Sequence, residues 1–348
     1  MVIIGGDLHK RTHTAVAIDE NGRKLGQRTV AATPDGHLEL LRWADEFAER
    51  RWALEDCRHL SRRLEADLVR AGESVVRVPP KLMAGARRSG REPGKSDPID
   101  ALAVARAALR EPDLPVAHLD GPERDLRLLV DHREDLVMTR TQVANRLRWH
   151  IHELGLAEPA PRSLDRTHVI ESLRVELADQ VGTVGRIARD LVERIAALTA
   201  SINALEHEIG VLAGELGPSL GDLQGCGGLS AAKLIGEAAG ISRFRSRAAF
   251  ARHNGSAPVP VWSGETTHHR LSRGGNRQLN VVLHRIAITG IRLGGLGRQY
   301  FEHRLAQGDT KTEAIRALRR RISDEVYRRM RQDEAARAAQ RASLAAAA

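Results

Sequence analysis

A chain of 348 residues is long enough for two or three domains and a sizeable core. Its 54 Lys and Arg against 45 Asp and Glu leave a net charge of +9, which favours a polyanionic partner, nucleic acid first, over a small anionic substrate. Aromatic residues make up only 3%, so stacking on bases is a minor term and phosphate contacts should carry the affinity. Two distant cysteines, Cys57 and Cys226, exclude a disulfide framework and a Cys-x-x-Cys metal site, and fit a reducing compartment. The apolar start "MVIIGG" is too short for a signal peptide, and no run approaches a membrane span. The expectation is a soluble intracellular protein.

In chain order, "VIIGG" predicts a buried strand ending at Asp7, and "THTAVAID" a second strand, closed by the turn "ENG". "RKLGQRTVAA" completes a three-stranded meander. Thr33-Pro34-Asp35 opens a helix with Leu38, Leu41 and Ala44 at helical spacing. "WALE" is a short strand, "LSRRLEADLVRAG" a helix closed by Gly72, and "SVVRV" a strand stopped by Pro79-Pro80. A basic stretch, "KLMAGARRSGREPGK", then leads to the helix "DPIDALAVARAALR". The order β-β-β-α-β-α-β-α, hairpin first and crossovers later, predicts an α/β fold with a ribonuclease H-like mixed sheet.

Beyond Pro115 the pattern is helical. Leu129, Leu136, Val143, Leu147, Ile151 and Leu154 form one apolar stripe. Ile187, Leu191, Ile195, Leu198, Ile202, Leu205, Ile209 and Leu212 form a heptad seam. With "GLAEPAPRSLDR" as the reversal between them, the expectation is an antiparallel coiled-coil hairpin, or arms that pair between subunits. A plain helical bundle shows the same spacing. "LQGCGGLSAAKLIGEAAG" has the pattern of a helix-hairpin-helix turn, in which Gly225 and Gly227 let the backbone approach a phosphate. An ordinary Gly-rich turn reads the same way. Residues 316–348 hold nine arginines against four acids and an alanine-rich end, predicting a basic helix and then a disordered tail. The expected boundaries are 1–115 for the sheet domain, 116–218 for the coiled-coil region, 219–330 for a mainly helical C-terminal domain and 331–348 for the tail.

The acids decide the chemistry. In "SDPID", Asp97 suits an N-cap, Pro98 the first helical position and Asp100 the reciprocal place of a capping box. Asp97 and Asp100 also share one helical face. Asp7 ends the first strand and Glu55 the fourth, and these strands are neighbours in a ribonuclease H-like sheet. Four carboxylates would then converge and repel unless a hard cation such as Mg²⁺ neutralised them. Two such ions roughly 4 Å apart clamp the attacking and leaving oxygens of a phosphodiester. Arg87, Arg88, Arg91 and Lys95, just before the helix, would guide a nucleic-acid backbone there. A solvated loop would carry the same charges.

Taken together, "GGDLHKRTHTAVAID", "ALEDC" and "KSDPIDA" resemble the DEDD-type insertion-sequence transposases, the recombinases described as bridge-RNA-guided. "LQGCGGLSAAKLIGEAAGISRFRSRAAFARHNGSAP", "WSG" and "LSRGGNRQLN" are similar to that family's C-terminal transposase domain, so the likeness spans nearly the whole chain. The resemblance implies a RuvC-like N-terminal domain binding Mg²⁺ through Asp7, Glu55, Asp97 and Asp100. It also implies a serine nucleophile that attaches covalently to DNA. The matching position is Ser263 in "APVPVWSGE", where Trp262 stands in place of a frequent second serine, and Ser256 in "HNGSAP" departs from the usual leucine. A serine hydroxyl needs activation, and no His or Lys adjoins Ser263 in sequence. Arg273 and Asn276 read as a phosphate-facing turn. The family further implies DNA and a guide RNA as partners, the coiled-coil pattern leads to the expectation of a homo-oligomer (dimer or tetramer), and the expected location is bacterial-type cytoplasmic and nucleoid-associated.

Three other readings compete. A metal-dependent nuclease or junction resolvase needs only the four acids and leaves the C-terminal third unexplained. An actin-fold sugar kinase shares the first hairpin, but no second Asp-Gly phosphate motif is found. A non-catalytic nucleic-acid scaffold would have no use for the acids and Ser263.

Overall fold

The computed structural model describes the chain except residues 56–59, 89–95, 112–113, 115, 118–120, 157–162, 264–265, 271–274 and 348; the side chains of 81, 84, 87–88, 260–263 and 266–270 also lie outside the description. It divides into two compact units, Met1–Asp120 and Gly121–Ala348.

The first unit is built on β1 (Val2–Leu8), β2 (Thr12–Ile18), β3 (Lys24–Ala31), α1 (Pro34–Ala44), β4 (Arg50–Glu55), α2 (Arg62–Arg70), β5 (Val75–Val78), α3 (Pro80–Arg88) and α4 (Asp97–Arg110). The sheet order is β3-β2-β1-β4-β5. β1 pairs antiparallel with β2 and parallel with β4, and β4 pairs parallel with β5. This is the mixed ribonuclease H-like arrangement. The hairpin is local, and each parallel step needs a helical crossover.

Both faces of the sheet are buried at β1, β2 and β4, while the edge strand β3 is largely exposed. Ile3 and Ala53 face a cluster with Val104 and Ala105 of α4 and Met83 of α3. Ile4, Leu8, Trp52 and Leu54 face the other way, among Leu40 of α1 and Leu64 and Leu68 of α2. Odd-numbered residues of β1 therefore point at α4, and so do odd-numbered residues of β4.

One element differs from the sequence expectation. The basic stretch after Pro79 is in its first half the helix α3, because Leu82, Met83 and Ala86 recur at helical spacing and Met83 and Ala86 are buried against α4.

The second unit contains α5 (Pro122–Glu153), α6 (Thr167–Ala178), α7 (Gly182–Leu216), α8 (Pro218–Gly221), α9 (Gly228–Ala238), α10 (Arg247–His253), a hairpin of β6 (Val259–Ser263) and β7 (Thr266–Arg270), then α11 (Arg277–Leu293), α12 (Leu296–Ala306) and α13 (Lys311–Ala347). α5 and α7 run antiparallel. Arg133 meets Glu206 at 2.7 Å, and seven residues on Arg140 donates to Thr199, seven residues back, at 3.2 Å. The link between them is more than a reversal. α6 lays Ile170, Leu173 and Leu177 into the core that joins Val143, Leu147 and Ile151 to Leu191 and Ile195.

The expected boundary near residue 218 does not divide the core. Leu126 and Val130 of α5 and Ile209 and Ala213 of α7 share one cluster with Ala232, Phe250, Leu283 and Val326. The expected tail is also helical, since α13 continues through Ala347. Met330 and Asp333 are buried, Ser219 Oγ donates to Asp333 at 2.7 Å, and Arg337 reaches Glu123 at 3.0 Å. Those anchors, and the helix propensity of alanine, outweigh the fraying expected of a terminus.

Arg319 on α13 is an anomaly in this core. It is buried, and its Nε and Nη2 meet no hydrogen-bond partner. Burial first, then the charge of Arg316, pulls its pKa below the usual guanidinium value. Arg319→Met keeps the bulk and removes the charge. It is expected to raise the second unit's stability by about 2 kcal/mol, read as a shift in urea midpoint at unchanged slope.

Candidate metal centre and nucleophile

The carboxylate site begins with a glycine. At Gly5 a Cβ would lie 2.3 Å from the Ala101 carbonyl oxygen and 2.5 Å from the Ala105 amide, so only glycine lets α4 press onto β1 there. One turn earlier on α4 stand Asp97 and Asp100. Two residues further along β1, on the same face, stands Asp7. The close approach at Gly5 thus holds the first turn of α4 over the end of β1.

Glu55 is the last residue of β4, the parallel neighbour of β1. Gly5 pairs with Ala53 and Gly6 with Leu54, one residue short of Asp7 and Glu55. Ala53 faces α4, and Glu55 has its parity.

Asp7 and Asp100 are buried, while the Asp97 side chain is 47% exposed. Burial raises the pKa of Asp7 above its ordinary value; His9 opposes the rise, and the charges of Asp100 and Asp97 add to it. Its Oδ2 is buried without a hydrogen bond of good geometry. A buried, acceptor-only oxygen facing other carboxylates is the donor chemistry that a hard divalent cation satisfies.

The helix cap falls one residue earlier than expected. Ser96 is the N-cap, with extended backbone at φ −153°, and Asp97 is already helical. The Asp100 amide donates to the Ser96 carbonyl at 3.0 Å. Serine and aspartate are about equal as N-caps, so the sequence alone did not separate them. The consequence favours the site: Asp97 Oδ1 is turned toward His9 Nε2, 3.5 Å away.

His9 is the residue that sequence reasoning missed. Its Nε2 also lies 3.2 Å from Asp7 Oδ2, and the ligand atoms of Asp7, His9 and Asp97 fall within 4.8 Å of one another. The available signal was its parity with Asp7 across the strand end.

The expected nucleic-acid contacts divide. Arg91, Lys95 and Arg273 lie outside the described residues, and Arg87 and Arg88 end α3 with side chains outside the description. Gly225 is at φ +88°, and a Cβ there would sit 2.7 Å from the Ile286 carbonyl oxygen, so this glycine serves packing against α11 and that side of it is closed to a phosphate. Gly227, at the N-cap of α9, has open space where a side chain would be. Asn276 faces the protein instead of a phosphate. It caps α11 by accepting from the amides of Gln278 and Leu279, and its Nδ2 donates to Glu237 at 2.6 Å. Asparagine before an apolar run signals an N-cap first. Ser263 is the last residue of β6, its backbone paired with Thr266, and its side chain lies outside the description. The thiol of Cys226 is buried, which pushes its pKa up to about 12.

A family model for DEDD transposases of the IS110 type, described as a transposase, matches residues 4–155. A second, described as the transposase IS116/IS110/IS902 family, matches residues 218–302. The first takes in the four acids and the second takes in Ser263. The chain belongs to the DEDD-type insertion-sequence transposases.

Relatives extend the match outside those two segments. The transposase is 28% identical to the uncharacterized 44.8 kDa protein of insertion element IS116 from Streptomyces clavuligerus, over 94% of each chain. It is 26% identical to the uncharacterized 42 kDa protein of IS900 from Mycobacterium paratuberculosis, over 91% of this chain and 92% of that one. Among solved structures it is similar to Thermus thermophilus RuvC in complex with a Holliday junction substrate, at 17% identity and TM-score 0.27, covering 34% of this chain and 99% of RuvC. Membership of a DNA transposase family sets aside the sugar-kinase reading. Among the described residues, no helix is long and apolar enough to cross a membrane.

Proposed function

We propose that this transposase cuts and rejoins DNA strands through a covalent bond between DNA and Ser263, with Mg²⁺ at Asp7, Glu55, Asp97 and Asp100. The observation that carries the reading is the seating of Asp97 and Asp100 over Asp7 by the close packing of α4 on Gly5. Bound there, Mg²⁺ would neutralise the carboxylates and polarise the scissile phosphodiester. The protein's own role is to hold Asp7 and Asp100 desolvated at a fixed point. The Ser263 hydroxyl would attack phosphorus and give up its proton. The strand oxygen would leave with the electron pair of the broken P–O bond and take up a proton. A hydroxyl of the receiving strand would later attack the phosphoserine and release Ser263.

A non-coding RNA acts as guide in this reading, and the net charge of +9 suits two polyanionic partners. Self-association as a dimer or tetramer is supported by apolar surface on α5, where Met138 is 57% and Trp149 75% exposed, three turns apart on one face. The protein would work in the cytoplasm at the nucleoid. A helix-hairpin-helix contact centred on Gly227 and a coiled-coil role for α5 and α7 belong to the same proposal.

The deciding experiment incubates the protein, its co-purified RNA and end-labelled DNA with Mg²⁺, then denatures the mixture on a gel. Wild type is expected to shift label to the protein band. Ser263→Ala is expected to lose that band completely while retaining RNA binding. An adduct persisting in Ser263→Ala would move the nucleophile elsewhere. Cleavage by wild type without any adduct would favour plain hydrolysis, as in a junction resolvase. Sequencing the co-purified RNA tests the guide.

A further inference from the structure

We propose that His9 is an additional ligand of this centre, and that its nitrogen makes the position beside Asp7 and Asp97 select a first-row transition ion over Mg²⁺. The inference rests on the metal-centre reading of the four carboxylates and changes which ion they would hold.

Three observations carry it. First, one ring nitrogen faces two carboxylate oxygens: Nε2 is 3.2 Å from Asp7 Oδ2 and 3.5 Å from Asp97 Oδ1. An Nε2–H can be aimed well at only one acceptor. Asp7 Oδ2, on a side chain only 7% exposed, is left without a well-formed hydrogen bond. A cation in place of that proton satisfies all three atoms at once.

Second, the spacing suits direct ligation. Adjacent ligands of an octahedral ion with bonds of about 2.1 Å lie about 3 Å apart. The nitrogen–oxygen separations already stand within a few tenths of an ångström of that edge, and all three ligand atoms fall within 4.8 Å. Little rearrangement of the side chains is needed.

Third, the backbone holds His9 in place. The His9 amide donates to the Thr12 carbonyl at 2.9 Å, closing the β1–β2 turn, so the ring is carried by a sheet hairpin rather than a free loop. Its side chain is 53% exposed, which leaves the ring room to take up an ion.

The chemistry follows from the donor set. Mg²⁺ takes oxygen ligands and gains little from imidazole, whereas ions from Mn²⁺ onward in the first row bind it with rising affinity. Two carboxylates and an imidazole on one side of the ion therefore discriminate in a way that four carboxylates do not.

The test uses full-length protein freed of metal and nucleic acid, with Mn²⁺ as probe and electron paramagnetic resonance as readout. Wild type is expected to bind Mn²⁺ about tenfold more tightly than Mg²⁺ in competition. Its spin-echo spectrum should show modulation from a directly bound ¹⁴N. His9→Ala should lose the nitrogen modulation and bring the Mn²⁺-to-Mg²⁺ preference to within about twofold. His9→Gln, which keeps the side-chain length, should do the same and covers the case in which alanine disturbs the turn. Bound Mn²⁺ that Asp7→Asn releases, but with no nitrogen modulation in wild type or with modulation that survives both His9 variants, overturns the inference and leaves the carboxylate centre standing. Mn²⁺ binding that Asp7→Asn does not alter overturns the centre itself.

Discussion

Asp7→Asn is expected to abolish metal-dependent strand cleavage, by about a thousandfold or more, because it removes the most buried carboxylate of the proposed centre. The same change should raise the melting temperature of the metal-free protein. Burial, followed by the charges of Asp100 and Asp97, holds the Asp7 pKa above its ordinary value of 3.8. A carboxyl raised on folding contributes its full stability below the unfolded pKa and loses it as pH rises through the folded pKa. At neutral pH wild type has lost that contribution, whereas asparagine never ionises. The variant's advantage should therefore appear as pH rises above about 4 and fade in more acid solution. Saturating divalent cation should erase it, since an ion stabilises the wild-type carboxylate and has less to bind in the variant. Calorimetry across pH, with and without cation, reads both effects. Lower stability of Asp7→Asn in metal-free neutral buffer would count against a strained carboxylate.

The second large effect lies at a residue with no chemistry of its own. Gly5→Ala is expected to cost about 3 kcal/mol, because its Cβ would fall 2.3 Å from the Ala101 carbonyl and 2.5 Å from the Ala105 amide. Both are backbone atoms of α4, so the helix must retreat as a whole. Its first turn would carry Asp97 and Asp100 away from Asp7. Divalent-cation affinity should therefore fall together with stability, although no ligand has changed. Gly85→Ala on α3, where no heavy atom lies within 4 Å of the new Cβ, is the matched control and should be neutral or slightly stabilising. Loss of stability with undiminished cation binding in Gly5→Ala would separate the helix contact from the site.

The sheet of the first unit was legible because its signals are local and agree. The hairpin turn "ENG", the alternation along Val2–Leu8 and the crossover helices leave few topologies open. Strand ends and helix spacing alone led to the expectation that Asp7, Glu55, Asp97 and Asp100 converge, and the ligand atoms of Asp7 and Asp97 do lie within 4.8 Å of one another. What escaped was register at the edges. Ser96 and Asp97 are equally good caps, so the turn could start at either. His9 lies just beyond β1, where alternation no longer has to hold. Asn276 was read for its arginine-and-glycine neighbours, when its position before Leu279, Val282 and Leu283 makes it a helix cap. α6 depends on tertiary burial that neither propensity nor composition announces. Ile170 and Leu173 find their place only once α5 and α7 are paired.

The anchoring of α13 also sets an order of events during synthesis. The contact of Arg337 with Glu123 joins residues 214 positions apart, and the core behind it needs side chains from Leu126 to Met330. The first unit is made up of Met1–Asp120. At ribosomal speeds of about 5–20 residues per second, the first unit can be complete about 10–40 seconds before the helical unit has the residues to close its own core. In that interval the emerging chain carries a complete sheet unit ahead of unassembled helices, and a translation product halted before α13 would persist in that condition.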